Sequence, residues 1–189
     1  MRRDDLDPDP DPLIPASIRS NNPGAMWPGP SSQRFGSTSY EQLRDGNKIA
    51  QFDSPVLGAA AQFDLLASPQ YIGKPIGQII DEWSGTTGSK KNVSDYAAKV
   101  ADSIGLKPSD PLTVDVLKGP QGVELAKTQA GWEAGSDYPL TNNQWKIAQR
   151  LAYTQGSQAV PLNPAQPIRP TDVVLALAEN QKRKLGLMN

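Results

Sequence analysis

Apolar positions in this chain recur mainly at the three- and four-residue intervals of an amphipathic helix, and the first clear run opens at Ser54-Pro55. Val56, Ala59, Ala60, Phe63 and Leu66 follow, with Ser54 placed as an N-cap, Pro55 in the first turn and Ser68-Pro69 as the stop. Ile76, Ile79, Ile80 and Trp83 form a second stripe that closes at Ser84-Gly85. Beyond a polar loop, Val93, Tyr96, Ala97, Val100 and Ile104 make a third, with Asn92 or Ser94 as the cap and Gly105 as the stop. Leu112 to Leu117 predicts one short turn. Helices are also expected from Pro120 to Ala134, stopped by Gly135, and from Asn143 to Thr154, with Trp145, Ala148, Leu151 and Ala152 inward. Ile18 to Gly46 is rich in Gly, Pro, Ser and Asn and reads as irregular, with short extended pieces around Gln33-Phe35 and Lys48-Phe52. The expected fold class is therefore mainly α, with an irregular or short-strand N-terminal segment.

The two ends carry different patterns. Residues 1–15 read MRRDDLDPDPDPLIP, an acidic, proline-rich arm without the apolar core of a signal peptide. Proline at alternate positions prevents the turns that wrap carboxylates around calcium, so a solvated linker is expected. Near the other end, Pro161, Pro164, Pro167 and Pro170 recur at the three-residue period of polyproline II, which predicts a stiff strap over the surface. Thr171 then caps a last amphipathic helix containing Val174, Leu175, Leu177 and Ala178, whose final turn holds Lys182, Arg183 and Lys184. The chain thus divides into an arm (1–15), a helical domain (16–156) and a strap with its helix (157–189). No window approaches the roughly 18 consecutive apolar residues that span a bilayer, so membrane insertion is not expected.

Composition narrows the chemistry. The 189 residues include no cysteine and no histidine, which excludes disulfides, thiolate metal sites, thiol nucleophiles and every Ser-His or Cys-His couple. Neither metal nor cofactor is expected; catalysis would run on Asp, Glu, Tyr, Lys, Ser, Thr or backbone. Nineteen basic and twenty acidic residues leave a net charge of −1, without the basic field that recruits nucleic acid.

One side chain stands out by its angular position. At about 100° per residue, Ala126, Ala130 and Glu133 all fall within about 80° of Val123 on one side of their helix, so Glu133 continues the apolar stripe. Glu124 falls about 100° away on the other side, where a carboxylate is solvated. A glutamate at the core-facing edge of a helix C-terminus has its ionised form disfavoured by burial and by the helix dipole, and both effects raise its pKa toward that of a general acid at neutral pH. The alternative is that Glu133 swings to solvent or pairs with a nearby cation.

Three segments, read in order, resemble a family of phage and bacterial lysozyme-like proteins described as virion structural or peptidoglycan-degrading. Ile18-Arg19-Ser20-Asn21-Asn22-Pro23-Gly24-Ala25-Met26 is similar to the family's I-R-N-N-N-P-G-N-I opening. Phe52-Asp53-Ser54-Pro55 through Gly58 to Leu66 resembles its F-x-S-P-x-x-G-x-R-A helix. Ile76 to Trp83 and Asn92 to Gly105 match T-I-x-x-I-I-x-x-W and N-x-T-x-x-Y-x-x-x-V-x-x-x-x-G. Ala130-Gly131-Trp132-Glu133-Ala134-Gly135, followed by Tyr138-Pro139, resembles A-I-x-x-H-E-N-G. The same pieces occur in shuffled order in cell-wall glucosaminidases and lytic transglycosylases, as in a circular permutation, which is tolerated when chain termini lie close together. The resemblance covers Ile18 to Pro139, about two thirds of the chain. It departs from the family pattern at Ala25 and Ala134, where the pattern has Asn, and at Trp132, where it has His.

The resemblance implies a lysozyme-like helical domain that acts on peptidoglycan glycan strands, with Glu133 as general acid. A glycoside hydrolase needs a second carboxylate, and Asp137, Asp53 and Glu82 are the candidates near matched motifs. A lytic transglycosylase needs only one acid/base, because the sugar's own 6-hydroxyl attacks; the lack of an evident partner favours that type. Tyr138 is a candidate donor into the cleft, and Asn21 and Asn22 are candidates to bind N-acetyl groups, although Asn-Asn-Pro-Gly is equally a turn whose side chains bond their own backbone. Trp27, in a Pro-Gly loop, is the preferred residue for stacking on sugar, ahead of Trp132, Tyr40 and Trp83, the last of which belongs to an apolar stripe. Lys90-Lys91 reads as solvated loop. Two alternatives stay open: a non-catalytic virion or secretion-apparatus component of the same fold, and an adaptor that docks a partner protein through the strap and basic helix. Without a signal peptide, the expected location is in a virion, or the bacterial periplasm after export by a specialised route, or otherwise the cytoplasm.

Overall fold

The computed structural model describes residues 14–43, 46–85 and 90–156. The acidic arm through residue 13, and the strap and terminal helix from residue 157 on, lie outside the described residues, as do the Lys90 and Lys91 side chains.

The chain begins with two short helices, α1 (Ala16–Arg19) and α2 (Pro30–Arg34), and an antiparallel hairpin of β1 (Ser39–Gln42) and β2 (Lys48–Gln51). Tyr40 pairs with Ala50 and Glu41 with Ile49. The extended piece expected at Lys48-Phe52 corresponds to β2, whereas Gln33-Phe35 belongs to α2 and its end rather than to a strand. The reason is local: Pro30 suits a first helical turn, and the Gly29 amide donates to Ser32 Oγ at 2.9 Å, which nucleates a turn of helix.

Six further helices follow: α3 (Pro55–Leu66), α4 (Ile76–Ser84), α5 (Lys90–Ser103), α6 (Val114–Lys118), α7 (Pro120–Ala134) and α8 (Asn142–Gly156). Ser54 caps α3 by accepting from the Leu57 amide, and Thr113 caps α6 by accepting from that of Val116. At the end of α7, Gly135 takes φ 68°, the left-handed conformation that ends a helix without a Cβ clash. The α5 helix starts at Lys90, ahead of the expected cap, so Asn92 and Ser94 lie inside its first turns. The described part of the molecule is mainly helical with one short two-stranded sheet.

Two apolar clusters fill the interior. One joins α3, α7 and α8 to the hairpin and to Met26 and Phe35; the other joins α4, α5 and α6 to Tyr71 and Leu125, and Leu65 and Trp83 touch both. Trp145, Ala148, Leu151 and Ala152 all face inward on α8. Gly58 lets α3 pass directly under the turn after α1, since a Cβ there would stand 2.0 Å from the Asn21 carbonyl oxygen. Among the described residues no helix is long and apolar enough to cross a membrane.

Candidate functional site

At the seam between the two clusters is a groove of about 270 Å³. Ala25 and Trp27 of the α1–α2 connection form one wall, and Ile49 of the hairpin adjoins it. Trp83 closes the end of α4, and Tyr96 of α5 meets Trp132 and Glu133 of α7 opposite. The site therefore draws on the turn, the hairpin and three helices, which the chain brings together from well-separated segments.

Glu133 stands half-buried in this wall, as its angular position on α7 implies. Burial raises its carboxyl from the ordinary 4.5 to about 7, and a hydrogen bond from the Tyr96 phenol, 2.9 Å to Oε1, opposes the rise. Tyr96 is itself buried, and burial together with the facing Glu133 charge pushes its phenol well above the usual range. It thus stays protonated and remains a donor. The Tyr96 ring stacks on Trp132 with centroids 4.8 Å apart and planes 5° from parallel. Lys99 Nζ lies 5.9 Å from the centre of the Trp132 ring. Glu124, expected on the solvated side, is exposed and pairs with Lys127 at 3.2 Å.

The remaining candidates separate into those at the groove and those elsewhere. Trp27 is on the rim with 60% of its surface exposed, an indole face available for stacking. Trp83 also lines the groove, but its Nε1 donates to the Gly24 carbonyl at 2.8 Å and its ring rests against Tyr71, so it chiefly anchors the turn to α4. Tyr40 lies on the exposed face of the hairpin, with Lys48 Nζ 4.2 Å from its ring centre, outside the groove.

Six candidates lie away from the groove wall or are otherwise engaged. Asn22 is completely buried: its Nδ2 donates to the Met26 and Ala50 carbonyls, both at 2.9 Å, and its Oδ1 accepts from the Met26 amide at 3.0 Å. With its amide given over to backbone, it has nothing to offer an N-acetyl group. Asn21 takes the left-handed conformation at φ 52° and donates to the Phe52 carbonyl at 2.9 Å, a turn-forming role outside the groove. Tyr138 is buried against Trp145, and its hydroxyl donates to the Ser17 carbonyl at 3.1 Å, so it anchors the loop after α7 to α1 rather than facing the groove. Asp137 is exposed and absent from the groove wall. Asp53 is likewise exposed elsewhere, and Glu82 is bound at 2.7 Å by Lys74, whose hydrogen bond, with that of Gln78, holds the carboxyl below its ordinary value. Glu133 is thus the only carboxylate among the described groove-lining residues.

Tyr96 is the residue that sequence reasoning missed. It reads as one more apolar position of a helix face, and the available signal was its match to the tyrosine of the resembling motif. Ala25 carries a second unforeseen feature: at φ 48° it occupies a conformation that suits the Asn of the resembling pattern better than Ala. Among the described residues, no three acidic side chains cluster to hold a metal ion. A comparison with known proteins adds no relative, as no protein-family model and no curated protein matches the chain.

Proposed function

We propose that this chain is a lysozyme-like peptidoglycan glycosidase of the muramidase or lytic transglycosylase type, with Glu133 as its general acid/base. The observation that carries the reading is a carboxyl group raised to about 7 in the wall of an aromatic-lined groove. Such a group is substantially protonated at neutral pH and can donate to a leaving alcohol. The exposed Trp27 face supplies a stacking platform at the rim.

The lack of a second carboxylate among the described lining residues favours the transglycosylase type. In that reaction Glu133 protonates the glycosidic oxygen, the bond from that oxygen to the anomeric carbon breaks, and the 4-hydroxyl sugar departs. The 6-hydroxyl oxygen of the remaining sugar bonds to the anomeric carbon, and its proton returns to Glu133. One carboxyl group serves both steps and leaves a 1,6-anhydro end.

Purified protein is expected to clear peptidoglycan suspensions, and mass spectrometry of the products to find 1,6-anhydro rather than reducing ends. Glu133→Gln should lower turnover by about 10²–10⁴-fold. Equal activity in the variant overturns the assignment. A second reading, a non-catalytic virion or secretion-apparatus protein that binds glycan or a partner protein, draws support from the turn amides, which bond backbone instead of facing the groove. It predicts binding to sacculi with no turnover in either form.

A further inference from the structure

A carboxylic acid that transfers a proton must present it on the oxygen that faces the substrate, and Glu133 has two oxygens. Its single hydrogen bond to the described residues is the one that Oε1 accepts from Tyr96 Oη. The phenol has one proton to give. Its other acceptor within reach, the Gln129 carbonyl, is 3.5 Å away, at the outer limit of a hydrogen bond. A proton on Oε1 would require the phenol to accept it and to turn its own hydrogen to the Gln129 carbonyl at 3.5 Å, giving up the 2.9 Å bond for a much weaker one, so the geometry favours Oε2 as the protonated oxygen. The phenol is held in place by its surroundings, as Tyr96 is 2% exposed and its ring lies flat against Trp132.

We propose that Tyr96, clamped by Trp132, is a positioning residue that occupies Glu133 Oε1 and thereby directs the transferable proton to Oε2. The proposal rests on the general-acid reading of Glu133, but its central claim concerns the carboxyl group itself and can be tested without turnover. Among the described groove-lining residues, those contributed by the turn, the hairpin, α4 and α5 are uncharged, and Lys99 lies beside the Trp132 ring. The residue before Glu133 thus acts on the acid through its neighbour. Trp132 packs on the phenol that binds the carboxyl group.

The test is a carbon-13 NMR titration of the Glu133 carboxyl in the full chain, in the wild type and in Tyr96→Phe, Trp132→Phe and Trp132→Ala. A hydrogen bond to the ionised form holds a pKa down, so Tyr96→Phe should raise the Glu133 midpoint by about one pH unit. Trp132→Phe preserves a stacking ring and should keep the wild-type midpoint, whereas Trp132→Ala should move toward Tyr96→Phe. An unchanged or lowered midpoint in Tyr96→Phe, with the fold intact by circular dichroism, overturns the proposal. Where turnover is measurable, Tyr96→Phe should lower kcat with KM unchanged and move the alkaline limb of the pH profile upward in step with the titration. A raised midpoint in a chain that cleaves no glycan leaves the positioning role standing and removes the glycosidase reading.

Discussion

The turn around Asn22 and the end of α7 around Glu133 both adjoin one groove, yet they use polarity in opposite ways. Asn22 directs all three of its hydrogen bonds at main-chain groups and has no exposed surface. Glu133 has one side-chain partner, on one of its two oxygens, and opens onto a cavity. A polar residue whose bonding capacity is taken up by backbone holds the fold together; one with capacity left over at a cavity wall can act on something else. Asn22 is committed to the fold, whereas Glu133 keeps bonding capacity for a ligand in the groove.

The sharpest way to break this contrast is Asn22→Ala. It strands the buried Met26 amide and opens a cavity, which should cost about 3–4 kcal/mol in urea unfolding. If stability is untouched and only glycan binding suffers, Asn22 belongs with the chemistry after all. The next effect is linked to pH. Glu133 has its folded pKa raised to about 7 from 4.5, so its contribution to stability is complete below 4.5 and is lost as pH rises through 7. Relative to Glu133→Gln, which keeps the shape and an acceptor for Tyr96, the wild type should lose about 3 kcal/mol between pH 4.5 and pH 8.5. Denaturation curves of the two proteins that run parallel with pH would contradict the burial of this carboxyl group. The smallest effect concerns Ala25, strained at φ 48° in the groove wall. Ala25→Gly should raise the melting temperature slightly, because relief of about 1–2 kcal/mol of left-handed strain outweighs the about 0.5–1 kcal/mol of extra backbone entropy that Gly loses on folding; a lower melting temperature would mean that the Ala25 methyl contributes more by packing than its backbone costs.

The legibility of the chain follows the range of the interactions. Helices α3, α4, α7 and α8 were readable because stripe, cap and stop lie within one stretch, as with Ser54, Pro55 and Gly135. The same local geometry put Glu133 at the inward edge of α7. Long-range bonds were not readable. The Ala50 carbonyl that occupies Asn22 lies 28 residues away, and Ser17, which receives the Tyr138 hydroxyl, lies 121 residues away. Tyr96 meets Glu133 across 37 residues, through the packing of α5 on α7, so periodicity marks it as core and cannot show its partner.

Deep between α3 and α7, Gln62 Nε2 donates to Gln129 Oε1 at 2.8 Å, while Gln62 Oε1 and Gln129 Nε2 have no partner among the described residues. Gln129 sits one helical turn before Glu133 on the same face of α7. A hydrogen bond between side chains of two helices tolerates only a few tenths of an ångström of axial shift, which adds to the register already set by interlocking side chains. The amide pair works as an alignment key with one productive tooth. It fixes the longitudinal setting of α7 against α3, and the residue that this setting indexes, four positions on, is Glu133.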